Sequence, residues 1–170
     1  ELDSFVKKAN FIYHLAGVNR PKETHEFYEG NSGLTEKLVA LLKKYQKRTP
    51  MLLSSSTQAE ADNDYGKSKL QSEEAVRTYS NESGAEIFIY RLPNVFGKWS
   101  KPNYNTVIAT WCYNITHDLP INVNNGKAQL SLVYIDDVVD SFTEHLRHHS
   151  KTSSYYNINT IYHKSLEEIV

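Results

Sequence analysis

The alternation of short apolar runs with longer helical patterns constrains the fold of this chain more than any other feature of its sequence. The apolar runs lie at 11–16, 51–53 and 86–91. Each is short enough to be a buried strand and is bounded by turn residues. Helical spacing of apolar residues occupies about 25–46 and about 65–82, and Gly84 is a typical helix stop. Strand, helix, strand and helix in this order predict an α/β fold with a doubly wound parallel sheet.

The second half of the chain has a less regular pattern. A loop is predicted at 93–102, and helical spacing returns at about 104–117. Further strands are predicted at 120–123, 130–135 and 155–158. Asp136 is placed to cap a helix that follows it, and a capping-box pattern from Ser165 to Glu168 opens another helix.

Composition narrows the class of partner. The formal net charge is -1 and charged residues make up 23%, so we expect no strongly basic face for nucleic acid. No apolar run in the sequence approaches the ~20 residues that span a bilayer. Cys112 is the single cysteine, which excludes an internal disulfide and fits a reducing compartment. We therefore expect a cytoplasmic protein that binds neither nucleic acid nor membrane.

Three histidines, His145, His148 and His149, lie near a predicted helix end. A metal site is one interpretation, but the dipole at a helix C-terminus favours imidazoles without any metal. We expect these side chains to be solvated, and we predict no metal site.

None of the seven glycines forms the glycine-rich turn with which a dinucleotide-binding sheet normally opens. The chain also begins inside a helical pattern. We therefore expect residues 1–170 to be part of a longer domain whose leading glycine-rich βαβ portion is missing. We also expect the piece to be inactive by itself.

The sharpest chemical signal is the segment Tyr65-Gly-Lys-Ser-Lys69, whose Tyr and Lys are four apart and share one helix face. A free tyrosine has a pKa of about 10, and a neighbouring ammonium favours the phenolate. We therefore predict that Lys69 lowers the pKa of Tyr65 and makes it a general acid/base. The chain has 12 tyrosines, so the spacing also arises by chance and its meaning depends on context.

Hydroxyl side chains just upstream supply that context. A predicted strand ends in Ser54, Ser55 and Ser56, at the sheet edge where parallel sheets bind their ligands. A serine there can hydrogen-bond a substrate oxygen beside Tyr65, although the same residues also suit a plain turn.

Five motifs occur in the order typical of the extended short-chain dehydrogenases/reductases. They are His14-Leu-Ala-Gly17, Ser54-Ser-Ser56, Tyr65-Gly-Lys-Ser-Lys69, Arg91-Leu-Pro-Asn-Val-Phe-Gly97 and Val133-Tyr-Ile-Asp-Asp137. They cover nearly the whole chain, which is identified on them as a member of that family. The resemblance implies a Rossmann-like sheet, incomplete here at its N-terminus, and a nicotinamide cofactor.

The resemblance also implies roles for individual residues. Ser56, Tyr65 and Lys69 would form the catalytic triad, and Lys69 and Tyr65 would also contact the cofactor, Lys69 at the nicotinamide ribose. Further cofactor-binding candidates are Leu15, Ala16, Gly17 and Leu92. Substrate-binding candidates are Asn31, Asn94, Arg20 and Trp99. Of these, Trp99 either stacks on a base or sugar or packs in its loop.

Only nine positions separate Ser56 from Tyr65, where most extended members have a longer loop. This short loop and the segment Lys98-Trp99 resemble the reductases of capsular-polysaccharide synthesis. That resemblance implies reduction of a 4-keto UDP-linked amino-deoxy sugar with NADPH, with NADH as the alternative. It also implies a homodimer, and a C-terminal cupin domain of the full-length protein that is not part of this chain.

Two dipeptide segments depart from the family pattern. Leu130-Ser131 stand where extended members often carry Arg-Asp, so the contact to the nucleotide diphosphate has to come from elsewhere. Candidates are Lys98, Lys101 and Arg20. Thr57-Gln58 supply no carboxylate where sugar dehydratases carry one, which argues against dehydration. A UDP-sugar epimerase and a non-catalytic nucleotide-binding domain on the same fold stay open as alternatives to the reductase.

Overall fold

The computed structural model describes residues 1–147 and 154–170. They form two compact units, one of Glu1–Arg91 with His145–Asn157 and one of Leu92–Glu144 with Ile158–Val170. His148 and His149 lie outside the described residues. Within the described ranges, no helix combines the length and the apolar character that a bilayer span needs.

Seven helices and seven strands occupy the described residues. The helices are α1 (Leu2–Lys8), α2 (His25–Phe27), α3 (Leu34–Lys44), α4 (Asp64–Ser83), α5 (Val107–Thr116), α6 (Ile135–Arg147) and α7 (Leu166–Ile169). The strands are β1 (Ile12–His14), β2 (Met51–Ser56), β3 (Ile87–Leu92), β4 (Asn94–Phe96), β5 (Gln129–Tyr134), β6 (Ser154–Tyr156) and β7 (Tyr162–Ser165). A 3-10 turn at Thr57–Glu60 and a π-helix at Tyr28–Gly33 complete the set.

The first unit contains a four-stranded sheet in the order β1-β2-β3-β6. β1 pairs with β2 and β3 pairs with β6, both in parallel register. The predicted α/β fold with a parallel sheet is confirmed. The predicted strands differ by a few residues from the observed ones: β1 is shorter, β2 is longer, and β3, β5 and β6 are displaced, with β6 ending before Ile158.

The core of the first unit lies between this sheet and the helices α1, α3 and α4. Met51, Leu52 and Leu53 are all buried, as expected for a parallel strand covered on both faces. Met51 and Leu53 share this core with Val6, Leu38, Val39, Leu42, Val76, Tyr79, Ala85, Ile87 and Ile89. Their burial fixes α4 against β2 and against α3, so the start of α4 lies where β2 ends.

The helical segment predicted at 25–46 is not one regular helix. α2 is followed by the π-helix, and α3 begins only at Leu34. Side-chain hydrogen bonds accompany the change, since Ser32 Oγ donates to the Tyr28 carbonyl oxygen at 3.0 Å and Thr35 Oγ1 to that of Asn31 at 2.8 Å. Short π-helices often occur at functional sites, and this one carries Asn31.

The second unit is built on a three-stranded sheet in the order β4-β5-β7. β5 is parallel to β4 and antiparallel to β7. β4 falls inside the predicted loop at 93–102, and β7 was not predicted. The predicted strand at 120–123 is wrong, because this segment is largely exposed and has no partner strand in the described part of the chain.

His145 corrects another prediction. Its side chain is 7% exposed rather than solvated. Its Nε2 lies 2.6 Å from the Tyr90 hydroxyl, and its ring stacks on Phe88 with 4.0 Å between centroids. Pairing of β6 with β3 adds Tyr156 to this cluster. The helical spacing of α6 therefore places His145 on the inner face of its last turn.

Helix ends follow the local sequence signals. Gly84 ends α4 with a φ of 73°, in the left-handed region that glycine adopts without strain. Ser165 and Glu168 form the predicted capping box at α7. α6 begins at Ile135, one residue before the predicted cap Asp136, which lies in the first turn instead.

Candidate active site

The end of β2 and the start of α4 approach each other closely. The Ser56 side chain accepts a 3.1 Å hydrogen bond from the Gln58 N–H in the turn that follows β2. Asn63 caps α4 by accepting a 2.7 Å hydrogen bond from the Gly66 N–H. A Cβ at Gly66 would lie 2.2 Å from the Gln58 carbonyl oxygen. The missing side chain therefore lets α4 reach the turn, and Tyr65 comes within hydrogen-bonding distance of Ser56.

Tyr65 is half-buried and contacts two neighbouring side chains. Its hydroxyl hydrogen-bonds Ser56, and its ring centroid lies 5.7 Å from that of Phe27. Burial raises the pKa of Tyr65, and the hydrogen bond with Ser56 opposes this only in part. The prediction that Lys69 lowers this pKa is wrong, because the net shift is upward and Lys69 is not one of its causes.

Lys69 is 7% exposed, and its Nζ donates to the Ser54 carbonyl oxygen at 3.0 Å. Burial lowers the pKa of Lys69, and the negative charge of Glu73 opposes this shift. The Ser54 contact holds the ammonium at the end of β2, two residues before Ser56. The structure thus brings together the three residues predicted to form the catalytic triad.

Asn31 is 2% exposed, and its amide connects two segments of the chain. Its Oδ1 accepts from the Val18 N–H at 2.8 Å, while Nδ2 donates to the Val18 carbonyl oxygen at 3.0 Å and to Ser68 Oγ at 2.9 Å. Ser68 in turn donates to the Tyr65 carbonyl oxygen at 2.8 Å. Asn31 therefore fixes the segment after β1 against α4, and its predicted substrate contact stays a prediction.

His14 extends this network into the core. It is 5% exposed, and its Nε2 lies 2.8 Å from Thr35 Oγ1. Thr35 uses its own proton to bond the Asn31 carbonyl oxygen, so His14 Nε2 has to be the donor. Burial, with a smaller effect of Lys69, lowers the pKa of His14 to about 4. The imidazole is therefore neutral near pH 7 and supports the network rather than exchanging protons.

Leu15, Ala16 and Gly17 follow β1 at the carboxyl edge of the sheet, and all three are exposed. A Cβ at Gly17 would lie 2.8 Å from Asn31 Oδ1 and 3.1 Å from Lys69 Nζ. The backbone here runs close to the Lys69 ammonium, which can donate to sugar hydroxyls. These residues therefore fit a dinucleotide cofactor that lies along the end of β1 with a ribose at Lys69.

We expect Gly17→Ala to lower kcat/KM about tenfold, because the added methyl would displace the Lys69 ammonium and the Asn31 amide that surround it. Both contacts are to side-chain atoms that can shift, so we expect the unfolding midpoint to change little. Steady-state kinetics of the whole protein with a nicotinamide cofactor measure the effect. A kcat/KM equal to that of the wild type would contradict the close approach described here.

Three of the predicted site residues belong to the second unit. Leu92 ends β3 and is partly buried, and Asn94 Nδ2 donates to the Ser131 carbonyl oxygen at 3.3 Å. Trp99 is 95% exposed and has a φ of 68°. That exposure rules out the interpretation that Trp99 packs in its loop. The contacts of these residues with cofactor or substrate stay predictions.

The three candidate cations for a diphosphate differ in their surroundings. Lys98 Nζ pairs with Asp136 at 2.9 Å, and Lys101 Nζ lies 5.8 Å from the centre of the Tyr104 ring. Arg20 is exposed in the segment after β1. A role for any of them in binding diphosphate stays a prediction.

A buried carboxylate next to this site was not predicted from the sequence. Glu73 lies one helical turn after Lys69 and is completely buried. The residues 65, 69 and 73 are spaced by four, so they share one face of α4. That spacing is a signal in the sequence, but the residues that neutralise Glu73 come from distant strands.

The sequence profile of the NAD dependent epimerase/dehydratase family matches residues 1–159. The chain belongs to this family. The match covers β1, β2, α4 and the motifs on which the resemblance was based, so the expected family is confirmed. The family's name specifies a nicotinamide cofactor, in agreement with the fit of the residues that follow β1.

Two relatives are similar in sequence over most of the chain. A UDP-2-acetamido-2,6-beta-L-arabino-hexul-4-ose reductase from Pseudomonas aeruginosa is 50% identical over 141 residues, which are 83% of this chain and 38% of that protein. The crystal structure of the capsular polysaccharide assembling protein CapF from Staphylococcus aureus has a TM-score of 0.85 at 43% identity and covers 99% of this chain. This chain spans 46% of that CapF chain.

Solved structures of lower sequence identity share the fold. The UDP-glucuronic acid 4-epimerase from Bacillus cereus, in complex with UDP-glucuronic acid and NAD, has a TM-score of 0.85 at 18% identity. It covers 98% of this chain, which spans 59% of the epimerase. At this identity the likeness extends to the fold alone.

Proposed function

We propose that the protein reduces the 4-keto group of a UDP-linked amino-deoxy sugar with a nicotinamide cofactor, in the synthesis of a capsular or surface polysaccharide precursor. The observation that carries the proposal is the convergence of Ser56, Tyr65 and Lys69 at the end of β2. The 50% identical relative named as a UDP-sugar 4-keto reductase supports this substrate class.

Each residue of the convergence has a role in this reaction. The cofactor supplies the hydride when it is bound. Tyr65 donates its proton to the keto oxygen, and Ser56, already hydrogen-bonded to the Tyr65 hydroxyl, holds that oxygen in place. Lys69 binds a ribose hydroxyl through Nζ, and its positive charge stabilises negative charge that develops nearby.

The protonated form of Tyr65 suits its role as the proton donor in a reduction. Burial keeps the pKa of Tyr65 above its usual value, so the phenol carries its proton at neutral pH. A reductase starts its cycle from this proton-donating form. An epimerase first has to remove a proton from the substrate hydroxyl and therefore needs the phenolate. The resting state of this site thus suits the first step of a reduction.

The finer parts of the proposal come from the family resemblance. They are a preference for NADPH over NADH, a homodimer, and a pyrophosphate-binding glycine-rich portion and a cupin domain elsewhere in the whole protein. A cytoplasmic location is also proposed, but it rests on the single cysteine, Cys112. Fluorescence titration of the whole protein with NADPH and NADH would measure the cofactor preference. Tighter binding of NADH would reverse the assignment of the cofactor.

A stoichiometry assay tests the proposed reaction. We expect the whole protein, incubated with NADPH and a UDP-linked 4-keto-6-deoxy amino sugar, to consume one NADPH for each keto group that disappears. A fall in absorbance at the nicotinamide band and loss of the keto sugar by chromatography measure the two quantities. Conversion of a UDP-sugar to its epimer with no net consumption of cofactor would replace the reductase by the epimerase.

A further inference from the structure

Glu73 is a carboxylate on α4 that is completely buried and surrounded by donors. Its Oε1 accepts from Ser55 Oγ at 2.5 Å and from Arg91 Nε at 2.9 Å. Its Oε2 accepts from Arg91 Nη2 at 2.7 Å and from the Tyr155 hydroxyl at 2.8 Å. Burial acts to raise the pKa of Glu73, but the hydrogen bonds from Arg91, Ser55 and Tyr155 outweigh it and lower the pKa. The carboxylate is therefore ionised at neutral pH.

The contacts of β2 with α4 alternate between the proposed site and Glu73. The Ser54 carbonyl oxygen accepts from Lys69, the Ser55 hydroxyl donates to Glu73, and the Ser56 hydroxyl bonds Tyr65. Three consecutive residues of β2 thus meet three residues of α4 that are each one helical turn apart. The Ser55–Glu73 bond fixes the register in which the other two contacts form.

Charge is balanced across this group. Arg91 bonds Glu73 and also pairs with Glu60, so one guanidinium lies between two carboxylates. The Lys69 ammonium is the second cation, and Glu73 is the carboxylate whose charge acts on it. A buried ammonium needs such a charge to keep its proton, because burial disfavours its charged form.

We propose that Glu73 is a positioning residue for the Tyr65–Lys69 pair, an inference that rests on the function proposed above. Its carboxylate holds α4 in register with the end of β2, and its negative charge favours the charged form of Lys69 one helical turn away. Glu73 acts through these two residues and does not touch the substrate.

Several titratable or charged groups face this part of the molecule. Lys69 is faced by His14 from β1 and by Tyr65 from α4. Glu73 is surrounded by Arg91 from β3 and Tyr155 from β6, and Arg91 in turn pairs with Glu60. Arg77 lies over the Tyr155 ring. His14, with a pKa of about 4, is neutral at neutral and alkaline pH. We attribute a shift of the alkaline limb between the wild type and Glu73 variants to Lys69 or Tyr65, the titratable groups of the proposed site. Removing a negative charge makes the loss of a proton easier for both groups.

The test is the pH dependence of kcat and kcat/KM in the whole protein, with NADPH and the 4-keto UDP-sugar, for Glu73→Gln. We expect kcat at the optimum to fall about tenfold, the KM for the sugar to change less than about threefold, and the alkaline limb to move to lower pH. A variant that is less stable but keeps the wild-type kcat and alkaline limb would overturn the proposal, since Glu73 would then act on stability alone.

Glu74→Gln is the matched control, because Glu74 is the next residue on α4, is exposed, and undergoes the same change of charge. We expect its pH profile to equal that of the wild type, and an equal shift in both variants would overturn the proposal.

Glu73→Asp keeps the charge but retracts the carboxylate from Ser55. We expect the wild-type alkaline limb with kcat lowered about threefold. An unchanged kcat in this variant would show that Glu73 does not hold α4 in register with β2. This result would overturn the proposal even if Glu73→Gln does not fold.

Failure of the inference is distinguishable from failure of the proposed function. If Tyr65→Phe abolishes turnover while Glu73→Gln has the wild-type profile, Glu73 has no positioning role and the reductase stands. If Tyr65→Phe keeps wild-type turnover, the function itself is wrong and the inference falls with it.

Discussion

Replacing Tyr65 with Phe is expected to lower turnover at least about 100-fold. The variant removes the hydroxyl that hydrogen-bonds Ser56 and would protonate the keto oxygen. Ser56 would remain as a hydrogen-bond partner, but an aliphatic hydroxyl is a far weaker acid than a phenol. The dinucleotide contacts proposed for Lys69 and for the backbone after β1 are not altered, so we expect cofactor affinity to stay within about threefold.

Steady-state turnover and a cofactor titration measure the two parts of this prediction. Tyr79→Phe is the control, because it makes the same change on α4 at a distance from the site. The Tyr79 hydroxyl donates to the Thr49 carbonyl oxygen at 3.0 Å, so its loss is expected to reduce stability by about 1–3 kcal/mol and leave turnover unchanged. A Tyr65→Phe variant that turns over within a few fold of wild type would remove the proton donor from the mechanism.

Gly66→Ala is expected to destabilise the protein by about 3 kcal/mol, which corresponds to a fall of about 6–12 °C in the unfolding midpoint. Helix propensity alone predicts the opposite, because alanine is favoured over glycine inside a helix by up to about 1 kcal/mol. The steric effect is larger, since the added Cβ would lie 2.2 Å from the Gln58 carbonyl oxygen and 2.7 Å from that of Ala61. Both atoms belong to the backbone, so α4 or the turn has to move.

Thermal unfolding measures this change, and activity reports its effect on the site. Displacing α4 from the turn would separate Tyr65 from Ser56, so we expect kcat to fall together with stability. Gly126→Ala is the control. Its Cβ would meet the carboxylate of exposed Glu167 at 3.0 Å, which can rotate away, and Glu167 Cβ at 3.2 Å, which has to shift by a few tenths of an ångström. No backbone atom is in close contact, and we expect a loss of no more than about 1 kcal/mol. Equal midpoints for Gly66→Ala and wild type would show that α4 does not need this close approach.

Local signals in the sequence were sufficient for the elements that position the site. Apolar runs predicted β1, β2 and β3 to within a few residues, and Gly84 ended α4 where its backbone preference predicts. The strand at 120–123 was predicted from residues that turn out to have no partner strand in the described residues. β7 was missed because its pattern is polar on three of its four residues, and its pairing with β5 is antiparallel and distant along the chain.

The environment of the site depends on contacts that the sequence does not display. Spacing alone predicted that Tyr65 and Lys69 share a helix face, but it did not reveal that both are withdrawn from solvent. Burial therefore reversed the expected direction of the Tyr65 pKa. Glu73 shows the same limit, because one of its partners, Tyr155, is 82 residues away and meets it only through the folded sheet.

The order of the strands has a consequence for how the protein is made. Ser56, Tyr65 and Lys69 all leave the ribosome well before β6. β6 pairs with β3, and the paired residues Phe88 and Ser154 are 66 positions apart in the sequence (154 − 88). At about 5–20 residues per second this interval lasts about 3–13 s. During that time the apolar residues of β3 present an open strand edge that can pair with another nascent chain. Pairing with β6 closes this edge of β3 only once residues 154–156 have left the ribosome.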